Sequence, residues 1–62
     1  MADILTVIEA ARYLCMSKPT LDRWRYAGEG PDYLKLMPGP RGPIRYRRED
    51  LDAWLASKLV GE

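Results

Sequence analysis

The sequence predicts a mainly α-helical fold with one small β-hairpin. Three observations carry this. Two short stretches with helical apolar spacing, each preceded by a capping residue (Thr6 and Ser17), are joined by about three residues. A middle segment, "GEGPDYLKLMPGPRGPIRYRR", is punctuated by glycine and proline and cannot be helical throughout. A last stretch, "REDLDAWLASKL", is helical again. The 62 residues are expected to form a single domain, 1–62. A chain of this size buries only about 60% of its unfolded surface, so its stability is modest.

The first helix is expected over residues 7–14. Thr6 and Glu9 make a capping box, in which each side chain satisfies an orphan backbone N–H. Val7, Ile8, Ala11 and Leu14, with Ala10 at the margin, form the apolar stripe. "CMS" leaves room only for a tight turn. Ser17 caps the second helix, Pro19 falls in its first turn where a missing N–H does no harm, and Gly28 ends it. Leu21 and Trp24 share its inner face. Two short helices joined this way have the layout of a helix-turn-helix.

Tyr33–Met37 and Ile44–Arg47 then alternate as short strands around a "PGPRGP" tip, giving a β-hairpin, or wing. Pro38, Pro40 and Pro43 stiffen the tip and discourage further strand pairing. In the third helix Glu49, Asp50 and Asp52 favour the N-terminal end of the dipole and Lys58 the C-terminal end. Leu51, Trp54, Leu55 and Leu59 supply the stripe, and Val60–Glu62 are expected to fray. The expected architecture is a winged helix-turn-helix: helix-turn-helix, β-hairpin wing, C-terminal helix.

One cysteine allows no internal disulfide. Histidine is absent, and one thiol cannot build a structural zinc site. No metal or cofactor is therefore expected, and Cys15 is expected to be a buried, inert thiol. The core must rest on apolar packing, with Trp24 and Trp54 its largest members. No apolar run is long enough to span a bilayer, and the N-terminus does not read as a secretory signal. The expectation is a cytoplasmic protein without a membrane partner. Hydrolytic or transfer chemistry needs a poised base, nucleophile or metal. Ser17, Thr20 and Cys15 have no identifiable activating partner, and the acids at 49, 50 and 52 are explained by helix-start electrostatics. Neither an enzyme nor a small-molecule binding protein is expected.

The net charge of +1 hides its distribution. Residues 1–16 carry −1, residues 17–48 carry +5 and residues 49–62 carry −3. Such asymmetry points to an anionic partner on one face. In the second helix Leu21 and Trp24 turn inward, which sends Lys18, Asp22 and Arg23, with Tyr26 at one margin, to the other side. Such a helix can enter a DNA major groove by its N-terminal half. Arg23 can pair with guanine O6 and N7, Ser17, Lys18 and Thr20 can reach bases or phosphates, and Asp22, Arg25 and Tyr26 are expected with them on the DNA-binding surface of the helix. Asp22 either accepts from a cytosine amino group or pairs with Arg25 or Tyr26 and orients them. In the wing, Arg45 and Arg47 share one face, expected to bind DNA, while Ile44 and Tyr46 share the other, Tyr46 more as core than as contact. Arg41, at the tip beside Gly42, can reach a phosphate or the minor groove. Arg48 either contacts DNA or pairs with Glu49 or Asp52. Double-stranded DNA is the expected partner.

"LTVIEAARYLCMSKPTLDRWRYAGEGPDYLKL" followed by "IRYRREDLDAWLAS" resembles the excisionase-type helix-turn-helix family, within the winged, MerR-like DNA-binding domains. The resemblance runs from Leu5 to Leu55 and implies a winged helix-turn-helix that binds DNA. Members include phage and plasmid excisionases, AlpA-like regulators and recognition domains of phage packaging proteins. By position it puts Ser17, Lys18, Thr20 and Arg23 on the recognition helix, Arg41 and Gly42 on the wing tip, and Trp24, Leu51 and Trp54 in the core. It implies a recombination directionality factor in a bacterial cell, whose copies bind adjacent attachment sites, bend the DNA and assist an integrase. An AlpA-type transcription regulator and a protein-interaction module are the rival readings. The chain departs from the family pattern at Cys15, where glycine is usual in the turn, and in a longer, proline-rich wing tip.

Overall fold

The computed structural model describes residues 3–61. Among them the order is β1 (Ile4–Thr6), α1 (Val7–Tyr13), α2 (Lys18–Ala27), β2 (Leu34–Lys35), β3 (Ile44–Arg47) and α3 (Arg48–Ser57). The fold is mainly helical, with a three-stranded antiparallel sheet in the order β1-β3-β2. This is a winged helix-turn-helix.

The predicted capping box is present at Thr6 and Glu9, and the Ser17 side chain accepts from the Thr20 N–H. Both helices of the pair then end in the same way. After α1, Cys15 N–H donates to Arg12 and Met16 N–H to Ala11. After α2, Gly28 N–H donates to Arg25 and Glu29 N–H to Trp24. Each is a 5→2 and 6→1 pair closing on a residue in the left-handed region. Gly28 adopts it at φ 76° and Cys15 at φ 57°. The turn thus has the shape that glycine would give, imposed on a residue with a Cβ. That turn also throws the Cys15 side chain outward, so the thiol is exposed rather than buried as expected.

The sheet differs from the expected hairpin in two ways. A third strand, β1, pairs with β3 through Ile4–Arg47, Leu5–Tyr46 and Thr6–Arg45. The first wing strand is shorter than Tyr33–Met37, because only Leu34 and Lys35 pair, opposite Arg45 and Ile44. Beyond them Leu36 N–H donates to the Pro43 carbonyl, and Gly42 N–H to Gly39, closing an irregular tip. The sheet register puts Leu5, Ile44 and Tyr46 on the inner face.

Ala10, Ala11, Leu21, Tyr46 and Leu51 form the buried core, with Leu5, Val7, Leu14, Met16, Trp24 and Ile44 packed around it. Tyr46 is its largest fully buried side chain. The two tryptophans were expected at the centre, but both are half-buried. Their rings meet at 5.2 Å, tilted by 50°, and close the joint between α2 and α3 from the outside. Within α1, Ala10 is buried and Ile8 exposed, the reverse of their expected weights. The small alanines let α1 approach α2 and β3 closely, which leaves Ile8 beyond the contact. α3 stops at Ser57, so Leu59 and Val60 stand outside it and are exposed. Glu62, expected to fray, lies outside the described residues.

Candidate nucleic-acid interface

With Leu21 fully buried, helical geometry sends Pro19, Arg23 and Tyr26 to the opposite side of α2. All three are exposed. Tyr26, expected at the margin, is 83% exposed and stands at the centre of this outer stripe. Arg23 has no carboxylate partner among the described residues.

The flank of the helix is organised by Asp22. Its carboxylate accepts from Lys18 Nζ at 2.7 Å and from Arg25 Nη1 at 2.8 Å, one turn to either side. The Lys18 hydrogen bond holds the Asp22 carboxyl below its ordinary value, against its partial burial and with help from Arg25. Of the expected partners, Asp22 pairs with Arg25, and it also holds Lys18. Arg25 is only 12% exposed. Its guanidinium lies 5.1 Å from the Tyr26 ring centre and 6.0 Å from that of Tyr33. It thus sits inside the joint between helix and wing rather than on the outer face. Lys18 remains 49% exposed although paired. Ser17 Oγ is occupied by its cap and by a 2.8 Å contact with the Thr20 hydroxyl.

The wing arginines divide in a similar way. Arg47 clamps Asp50 with two hydrogen bonds, Nε at 2.7 Å and Nη2 at 3.0 Å, and lies 3.7 Å from Glu49. Arg47 precedes α3 directly, and this fork anchors the first turn of a helix that has no side-chain cap. Arg45 folds back, donating Nη1–H to the Ile44 carbonyl at 2.8 Å. Arg48 pairs with neither Glu49 nor Asp52: Glu49 faces Arg47, and Asp52 accepts from the Tyr13 hydroxyl. Its backbone N–H donates to Asp3 instead, and its Nε is buried without a partner.

Arg41 is exposed on the tip and has no carboxylate partner among the described residues. Gly42 is the residue that sets the tip's shape. A Cβ there would lie 2.2 Å from the Met37 carbonyl oxygen, closer than any side chain permits. Lys35, which the charge pattern includes but the residue-level reading did not single out, is exposed on β2. Lys35, Pro40 and Ile44 of the wing and Arg25, Tyr26 and Tyr33 line one open hollow of about 200 Å³. The wing thus stands beside the C-terminal half of α2, and Lys35 adds a cation between the two elements.

Among the described residues, no helix is long and apolar enough to cross a membrane. No curated protein matches the chain. The family profile described as "Helix-turn-helix domain" matches residues 4–59, which covers every element from β1 to α3. The chain belongs to this family of DNA-binding helix-turn-helix domains, which includes excisionase-like and AlpA-like proteins and is typically non-enzymatic.

Proposed function

We propose that the chain is an architectural DNA-binding protein of the excisionase type, a recombination directionality factor acting as one domain. The observation that carries this is the pairing pattern of the cations. Arg23 on the outer stripe of α2 and Arg41 on the wing tip are exposed and lack carboxylate partners among the described residues, whereas Arg25 and Arg47 are held by Asp22 and Asp50. Arg23 then reads base edges in the major groove, flanked by Tyr26 and by Lys18, Ser17 and Thr20 nearer the phosphates. Arg41 reaches a phosphate or the minor groove from a tip that Gly42 shapes, with Arg45 on the wing behind it. Arg25, Arg47 and Asp22 position these elements rather than contact DNA.

Within the family, the resemblance from Leu5 to Leu55 favours excision. Copies bind adjacent attachment sites in the bacterial cytoplasm and present bent DNA to the integrase of a phage or mobile element. The test is a gel-shift and footprint scan of the element's attachment region with competitor DNA, joined to an integrase-dependent excision assay. Protected sites beside the crossover region, and excision that requires the protein, support the proposal. A footprint confined to a promoter, with excision unchanged, replaces it with AlpA-type transcription control. Absence of binding to any duplex at low salt replaces it with a protein-interaction module.

A further inference from the structure

The wing carries a feature that phosphate contact does not explain. Leu36 and Met37 are adjacent, large and apolar, yet 55% and 60% exposed. They lie where β2 stops pairing and the irregular tip begins. A pair of exposed apolar side chains would ordinarily be a liability. These two stand on a rigid mount. Leu36 N–H is tied to the Pro43 carbonyl at 3.0 Å, and the Met37 carbonyl lies so close to Gly42 that only glycine fits there. Proline at 38, 40 and 43 removes backbone freedom and donors around them.

Their electrostatic setting is one-sided. From Tyr33 to Tyr46 the chain holds Lys35, Arg41 and Arg45 and no acid, and none of the three has a carboxylate partner among the described residues. An apolar pair set in a cationic, acid-free hairpin complements a surface that is anionic at its edges and apolar between them. Duplex DNA offers that surface at the base steps of the minor groove, between two phosphate rails.

We infer that Leu36 and Met37 form a wedge that enters a base step of the minor groove, unstacks it and kinks the duplex, while Arg41 and Lys35 hold the flanking phosphates. This rests on the DNA-binding reading above and deepens it, because it names the side chains that deform the DNA. Unstacking is cheapest at flexible pyrimidine–purine steps, so the wedge selects such a step without hydrogen-bonding its bases.

The experiment uses a duplex of about 40 bp obtained by selection from a random pool with the full chain. Dyes at its two ends report the bend by energy transfer. 2-Aminopurine, scanned through its adenine positions, reports unstacking. The variants are Leu36→Ser with Met37→Ser together, Met37→Leu, and Arg41→Ala, each checked for an unchanged thermal melt. Wild type is expected to kink the duplex by about 20–90° and to brighten 2-aminopurine at one step. The double serine variant is expected to lose both signals while its Kd changes by less than about tenfold, because the lost contact and the avoided unstacking oppose each other. Met37→Leu is expected to keep both, and Arg41→Ala to weaken binding while bound complexes remain kinked. A double serine variant that kinks DNA like wild type, or a wild-type complex that is straight, overturns the wedge and leaves DNA binding intact. Failure of the selection to yield any bound duplex overturns DNA binding itself.

Discussion

Cys15 shows how one residue can oppose the turn it occupies. A left-handed backbone costs an L-residue roughly 1–2 kcal/mol, and glycine's extra chain entropy costs about 0.5–1 kcal/mol. Cys15 is exposed and held at φ 57°. Cys15→Gly is therefore expected to stabilise the protein by about 0.5–1 kcal/mol, read from denaturant unfolding. Asp22 works in the opposite sense, as one carboxylate holding two cations of the same helix. Its folded-state pKa is depressed below its ordinary value of 3.8, so its stabilisation is fully present above that value. The stabilisation is lost as pH falls through the depressed pKa. Asp22→Ala is expected to cost about 1–2 kcal/mol near neutral pH. Urea unfolding at a series of pH values checks the sign, since wild type and variant should converge as pH falls through the depressed Asp22 pKa. A constant gap down to the acid limit would mean that packing, not charge, is what Asp22 supplies.

Between the elements, the joint of α2 and α3 rests on Trp24 against Trp54. Because both rings are half-buried, Trp54→Ala is expected to cost about 1.5–3 kcal/mol, less than the ~3–5 kcal/mol of a fully enclosed aromatic. Thermal unfolding of the variant measures this. The capped helices were legible in the sequence because Thr6, Ser17 and Gly28 act locally, on backbone groups within four residues. Tyr46 was legible as core because alternation with Arg45 and Arg47 fixes its side of the strand. β1 was not, since three residues carry no periodicity of their own and become a strand only by pairing with β3. The centre of the core was misplaced because size suggested the tryptophans, whereas close approach of α1 favours its alanines. Among the site residues, Arg25 and Arg47 were expected on the DNA-binding surface, and the structure adds that Asp22 and Asp50 hold them. The signal was present: Asp22 precedes Arg25 by three residues and Asp50 follows Arg47 by three, a spacing that brings side chains together at a helical turn. The wing's exposed apolar pair was read as strand, and only the early end of β2 reveals it.

For the whole molecule, positive charge is concentrated in the middle of the chain, with +5 over residues 17–48 against −1 before and −3 after. The acids at 49, 50 and 52 serve α3 and its contacts with Arg47 and Tyr13, while Arg23 on α2 and Lys35 and Arg41 on the wing are among the cations without a carboxylate partner among the described residues. If about five phosphates are engaged, affinity should fall roughly 10²–10³-fold over a fourfold rise in salt. The central claim is that α2 reads bases through Arg23 while the wing holds the backbone through Arg41. Its most direct test is binding of wild type, Arg23→Ala and Arg41→Ala to a selected and a scrambled duplex at several salt concentrations. Arg23→Ala is expected to lose about 1–3 kcal/mol on the selected duplex only, with relaxed preference at one base pair. Arg41→Ala is expected to weaken both duplexes alike and to lower the salt slope by about 0.9. Arg23→Ala weakening both duplexes equally while Arg41→Ala abolishes discrimination would reverse the two roles, and no effect from either change would mean that α2 is not the reading helix.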